Sequence, residues 1–86
     1  MVEFVDIAFL PSDLTIPADT DVTFEFINNG GLIHNFMIDN PEVFSGDLAG
    51  GQSSEIVVNL PAGEYEFYCT IPGHAVSGMV GTLMVE

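Results

Sequence analysis

The 86-residue chain contains no lysine and no arginine, against 13 aspartates and glutamates and two histidines. Its formal charge at pH 7 is -13, although only 15% of its residues are charged. Phosphate recognition runs on lysine and arginine, so nucleic-acid binding, adhesion to anionic lipid and phosphate-loop chemistry are excluded. A single cysteine, Cys69, rules out an internal disulfide. No apolar run reaches the roughly 18 residues that a membrane-crossing helix needs. The opening Met1-Val2-Glu3 has neither the basic nor the apolar segment of a signal peptide. A cytosolic protein, or one whose leader has been removed and replaced by an added Met1, is therefore expected. The complete lack of basic residues fits a salt-rich habitat, where screening masks self-repulsion, or deliberate redesign, and leans toward the latter.

Hydrophobic residues, by contrast, make up 48% of the chain, far more than a polyacidic disordered tail carries. Residues 1–86 are expected to form one domain with one core, near the lower size limit for unaided folding. Chains this small often carry a disulfide or a metal as a staple. With the disulfide excluded, a metal is the remaining candidate.

Turn residues recur at short intervals, and the segments between them are rich in Val, Ile, Phe, Thr and Tyr. Strands are predicted at Val2–Phe9, Leu14–Ile16, Asp21–Asn28, His34–Ile38, Ser53–Leu60, Glu64–Cys69 and Met79–Val85. Within Asp21–Asn28, Val22, Phe24 and Phe26 alternate with Thr23, Glu25 and Ile27, the period of a half-buried strand. Asn28-Asn29-Gly30-Gly31 and Pro61-Ala62-Gly63 are turn signals. Asn40–Gly51 and Thr70–Gly78 read as loops. No window sustains a helical period, so the expected fold is all-β, a Greek-key antiparallel β-sandwich of about seven to eight strands.

Four residues stand out by chemistry: His34, Cys69, His74 and Met79. The last three form Cys-x4-His-x4-Met across one strand–loop–strand junction, and a loop of that length can fold three donors around one point. A lone cysteine is ordinarily an inert buried thiol, and a lone histidine ordinarily structural. Here both histidines and the single cysteine fall into one pattern. Two imidazoles and a thiolate with a weak axial thioether are the donor set of a blue-copper electron-transfer site. Soft thiolate and thioether suit Cu(I), whereas imidazole suits both oxidation states. Met37 and Met84 alternate away from this face. Glu64 and Glu66 share a solvated strand face, and no carboxylate pair has an apolar setting suited to acid–base catalysis. A multinuclear copper centre would need further histidines or a second cysteine, and neither is present. Zinc accepts the same nitrogen and sulfur donors.

Phe67-Tyr68-Cys69-Thr70-Ile71-Pro72-Gly73-His74, continuing to Gly78-Met79-Val80-Gly81, resembles the copper loop of the cupredoxins, the small type 1 blue copper proteins of plastocyanin and auracyanin type. Val22–Asn28 followed by His34-Asn35-Phe36 is similar to the family's first-ligand region, and Phe9-Leu10-Pro11 and Leu14–Ala18 are similar to its opening strands. The resemblance implies one copper ion held by His34, Cys69 and His74, with Met79 as the long axial ligand. It implies that Asn35 supports the site, its backbone N–H donating to the Cys69 sulfur and its side chain pinning the loop near Thr70. It further implies a His74 ring edge at the surface inside an apolar collar of Leu10, Gly31, Leu32, Ile71, Pro72 and Val76. Tyr68 and the Cys69 backbone would offer a second electron route. The short Asn40–Gly51 segment departs from family members that carry a helical flap there.

The expected function is one-electron transfer by a copper site cycling between Cu(II) and Cu(I), without enzymatic turnover of a substrate. A copper-holding domain for storage or delivery is the alternative. Expected partners are larger redox proteins with a basic docking surface, met by a monomer that neither binds nucleic acid nor inserts into membranes. The family places the protein outside the cytoplasm, on the periplasmic or cell-surface side.

Overall fold

The computed structural model describes every residue from Met1 to Glu86 and contains no helix. Nine strands follow one another: β1 Val2–Val5, β2 Ala8–Leu10, β3 Asp13–Ile16, β4 Val22–Asn28, β5 Met37–Ile38, β6 Val43–Phe44, β7 Ser53–Val58, β8 Gly63–Tyr68 and β9 Val80–Val85. They form a four-stranded sheet, β2-β1-β4-β7, and a five-stranded sheet, β3-β9-β8-β5-β6. The two sheets face each other as a sandwich.

Three details differ from the sequence reading. The predicted strand Val2–Phe9 is a hairpin, with Phe4 opposite Phe9. The reason is parity. Val2 and Phe4 point inward at even positions, but Phe9 also points inward at an odd one, and a continuous strand cannot place both on one face. The turn at Asp6-Ile7 resolves the conflict. Next, the predicted strand His34–Ile38 is regular only at Met37–Ile38, and His34 makes a single bridge to Leu48. His34, Asn35 and Phe36 are all buried, which no two-residue period allows. The segment Asn40–Gly51, read as loop, accordingly supplies β6 and the Leu48 bridge. Finally, the sheets are mixed rather than purely antiparallel. β1 runs parallel to β4, and β3 runs parallel to β9, because the chain crosses between sheets before each of these pairs closes.

Alternation builds the core. Phe24, Phe26 and Asn28 of β4 point inward while Thr23 and Glu25 face solvent. Phe4, Phe9 and Phe26 from one sheet meet Phe36 and Phe67 from the other side. Phe36 stacks on Phe67 with ring centroids 4.6 Å apart, and Phe9 meets Phe67 edge-on at 5.1 Å. Offset and edge-to-face contacts of this kind add to the burial of the rings themselves. This aromatic layer is the floor on which the polar cluster at one end of the sandwich rests, since Phe4 packs edge-on against His34 at 6.4 Å.

Candidate metal centre

Cys69 directly follows β8 and continues its inward face, after Tyr65 and Phe67, so its side chain is buried among apolar groups. The chain then turns sharply through residues 70–78 and closes on itself. Cys69 N–H donates to the Met79 carbonyl at 3.2 Å, and Met79 N–H donates to the His74 carbonyl at 3.0 Å. Gly73 and Gly78 take φ values of 84° and 108°, a region open to glycine at little cost. These two residues let the loop reverse on either side of the His74–Ser77 turn.

His34 comes from outside this loop. Its backbone exchanges both hydrogen bonds with Leu48, at 3.0 and 2.9 Å. The turn that leads to it is built by Asn28, a fully buried residue at the end of β4. Asn28 Nδ2 donates to the carbonyls of Leu32 and Leu48, and its Oδ1 accepts from Gly30 N–H. The sequence reading assigned Asn28 to a turn but not to this bracing role. An asparagine at a turn is common, and only the fold reveals what its amide reaches.

The structure brings together His34, Cys69 and His74. Their donor atoms all lie within 4.8 Å of one another. His34 Nδ1 is 3.1 Å from His74 Nδ1, and Cys69 Sγ is 3.5 Å from His74 Nδ1. A fit to a metal can be checked by distance. Bonds of about 2.0–2.1 Å to imidazole and about 2.3 Å to thiolate, at near-tetrahedral angles, set donors about 3.3 Å (N–N) and about 3.6 Å (N–S) apart. The two spacings to His74 Nδ1 match an ion shared with that ring, and the third pair, His34 and Cys69, lies within 4.8 Å. Two imidazoles and a thiol also form a donor set suited to copper. Met79, the fourth predicted residue, is completely buried, with its backbone tied to both Cys69 and His74.

The surroundings agree in part with the expected supports. Asn35 Nδ2 donates to Thr70 Oγ1 and to Asp47 Oδ1, and Asn35 Oδ1 accepts from Thr70 N–H. The expected bond from Asn35 N–H to the Cys69 sulfur is not formed; Sγ pairs with His74 Nδ1. His74 is 8% exposed, the most exposed of the four predicted residues. Around this end Leu10, Leu32 and Ile33 are about half exposed and Val76 is 95% exposed. Ile33 was not anticipated in the collar, and Ile71 is partly buried against the core.

One residue was missed altogether. Asp6, in the β1–β2 turn, places Oδ1 2.6 Å from His34 Nε2. The hydrogen bond from His34 holds the Asp6 carboxyl below its ordinary value of 3.8, with further help from the Gly31 N–H. Reading Val2–Phe9 as one strand had left Asp6 without a special position.

A β-sandwich that gathers two buried imidazoles and a buried thiol at one end has the architecture of a blue-copper electron-transfer protein. The comparisons with known proteins agree. A family model described as a cupredoxin-like domain matches residues 1–85, and the chain belongs to that family. It is 38% identical over 92 residues to the chloroplastic plastocyanin of Silene latifolia subsp. alba, a match covering 93% of this chain and 53% of that protein. The chain thus spans about half the length of that relative. It is 36% identical over 92 residues to plastocyanin of Sambucus nigra, with 93% of this chain and 89% of that one covered. Among solved structures, auracyanin B superposes with a TM-score of 0.88 at 27% identity, covering 99% of this chain and 86% of the other.

Proposed function

We propose that this chain is a one-electron carrier whose single copper ion is held by His34, Cys69, His74 and Met79. The observation that carries the proposal is the convergence of two imidazole nitrogens and one sulfur within 4.8 Å, all on buried residues. When bound, copper supplies the Cu(II)/Cu(I) couple. The protein residues do the rest. His34 and Cys69 are anchored to different parts of the sandwich, by the Leu48 bridge and by β8, so their donor atoms keep their positions when the charge of the site changes. Burial of Cys69 and Met79 keeps water from the thiolate and thioether. A closed pocket of this kind suits a carrier better than a site that releases its ion.

His74, the most exposed of the four, is the exit for the electron, and the exposed apolar residues of the loops beside it are the contact surface. A total charge of -13 with no cationic side chain selects a partner with a basic rim. Tyr68, next to Cys69 in the chain, offers a second route; its hydroxyl donates to Asp39. No helix of the chain is long and apolar enough to cross a membrane. The protein acts as one copper domain, as a monomer, outside the cytoplasm.

Titration with Cu(II) tests the core of this reading. The expected product is intensely blue or green from thiolate-to-copper charge transfer, and a mild reductant bleaches it reversibly. A stoichiometric Cu(II) complex without that band would overturn the assignment.

A further inference from the structure

We infer that Asp6 is a positioning residue for the copper couple, fixing the tautomer of His34 and favouring Cu(II) through its charge; the inference rests on the copper reading above. An imidazole ligates through one nitrogen, and the bond made by the other nitrogen decides which one. His34 is fully buried, with Nδ1 facing His74 and the cluster and Nε2 facing Asp6 Oδ1 at 2.6 Å. A carboxylate only accepts, so Nε2 carries the proton and Nδ1 presents its lone pair to the metal.

The carboxylate is itself held in place. Gly31 N–H donates to Oδ2 at 2.9 Å, and Leu32 N–H lies 3.4 Å from Oδ1. Gly30 makes room for it. A Cβ at Gly30 would overlap Asp6 Oδ1 and come within 3.1 Å of His34 Nε2. Any side chain at that position would therefore push the carboxylate off the ring. The chain has no lysine or arginine to compete for Asp6, and its contact with His34 is the only acid–imidazole pair in the protein.

The effect on the couple has a definite sign. With a thiolate ligand, the site is more positive by one charge as Cu(II) than as Cu(I). A fixed anion bonded to a ligand ring stabilises the more positive form and lowers the reduction potential. The other carboxylates act mainly across solvent, where salt screens them. Asp6 acts through a direct hydrogen bond to the ligand.

The test compares copper-loaded wild type with Asp6→Asn, Asp6→Ala and the control Glu25→Gln, which removes one exposed charge remote from the ring. Asp6→Asn loses the charge and keeps one acceptor oxygen, enough for Gly31 N–H or for His34 Nε2–H but not for both. The preference for Cu(II) over Cu(I) is expected to fall by about ten-fold or more, on the scale of the affinity losses that follow loss of outer partners of metal ligands. For a one-electron couple that is a rise of about 59 mV or more. Glu25→Gln should shift the potential by much less. In the metal-free wild type, nitrogen NMR should find His34 as the single Nε2–H tautomer, and Asp6→Ala should give a mixture. Potentials unchanged in both Asp6 variants, or a Glu25→Gln shift equal to that of Asp6→Asn, would overturn the inference. So would a metal-free His34 that carries its proton on Nδ1. Should Asp6→Ala not fold, the potential of Asp6→Asn against Glu25→Gln decides. A wild type that lacks the charge-transfer band would sink the copper reading instead, and the tautomer of the metal-free protein would still report on Asp6.

Discussion

Asn35 holds Thr70 with two hydrogen bonds: Nδ2 donates to Thr70 Oγ1 and Oδ1 accepts from Thr70 N–H, both at 2.8 Å. Asn35 follows His34 and Thr70 follows Cys69, so this clasp fixes two donor residues relative to each other. Asn35→Ala leaves a backbone N–H without its partner, a loss of about 1–3 kcal/mol. The denaturation midpoint of the metal-free protein should fall accordingly at an unchanged slope. An unchanged midpoint would show that the clasp carries no stability.

Cys69 and Met79, the two sulfur residues of the proposed site, should give different outcomes on substitution. Under the proposed copper assignment, Cys69→Ser should abolish the charge-transfer colour and most copper affinity, since it removes the chain's one thiolate. Met79→Leu should keep the colour and raise the potential, because losing an axial donor disfavours Cu(II). Spectra and voltammetry on the two variants separate the roles. A lower potential in Met79→Leu would contradict axial ligation.

Phe36 is the side chain with most to lose from truncation. Besides stacking on Phe67, it lies 4.9 Å from Phe26, 5.7 Å from Phe9 and 5.9 Å from Phe24, centroid to centroid. Phe36→Ala should cost about 3–5 kcal/mol, a large share of the roughly 5–15 kcal/mol available to a small domain. Chemical denaturation with copper absent measures it. A loss below about 1 kcal/mol would mean that the aromatic layer repacks.

Tyr68 should ionise at unusually high pH. Its hydroxyl donates to Asp39 at 2.7 Å. That bond, then burial, then repulsion by the Asp39 charge raise the phenol above its ordinary 10.0. The folded pKa lies above the unfolded one, so the stabilisation is complete below about pH 10 and is lost as pH rises through the folded value. Asp39→Asn should bring the ionisation of Tyr68 back toward 10.0, as followed by phenolate absorbance. No movement would place the cause elsewhere.

Salt should stabilise this protein. Its 13 acidic side chains have no cationic side chain to offset them, so the folded state suffers net repulsion. Raising ionic strength from about 0.01 M to about 0.15 M shortens the screening length from about 30 Å to about 8 Å. The melting temperature of the metal-free protein should rise over that range. A flat response would show that the carboxylates are too far apart to repel one another.

Some features could be read locally and others could not. The alternation in Val22–Asn28 and Glu64–Cys69 was visible because each strand has one buried face, and period two is a local signal. The Cys69, His74 and Met79 spacing was visible for the same reason, as one loop carries all three. The hairpin at Asp6-Ile7 was hidden because Val2–Phe9 is apolar enough to pass for one strand. Its change of parity becomes meaningful only once a common core lies on one side. The irregular run His34–Phe36 was misread as strand because its burial on every side comes from neighbours distant in sequence.

By itself, the sequence determined the chemistry. It specified two imidazoles, one thiol and a thioether, the short loop that carries three of these four side chains, the β-forming segments, and a net charge of -13. Only the tertiary structure decided the distances. Sheet pairing brought His34 to 3.1 Å from His74, set Asn35 against Thr70, and laid the Asp6 carboxylate on the far nitrogen of His34. Residue type and local period are properties of neighbouring positions. These contacts span 28 to 40 positions along the chain and exist only because two sheets share one core.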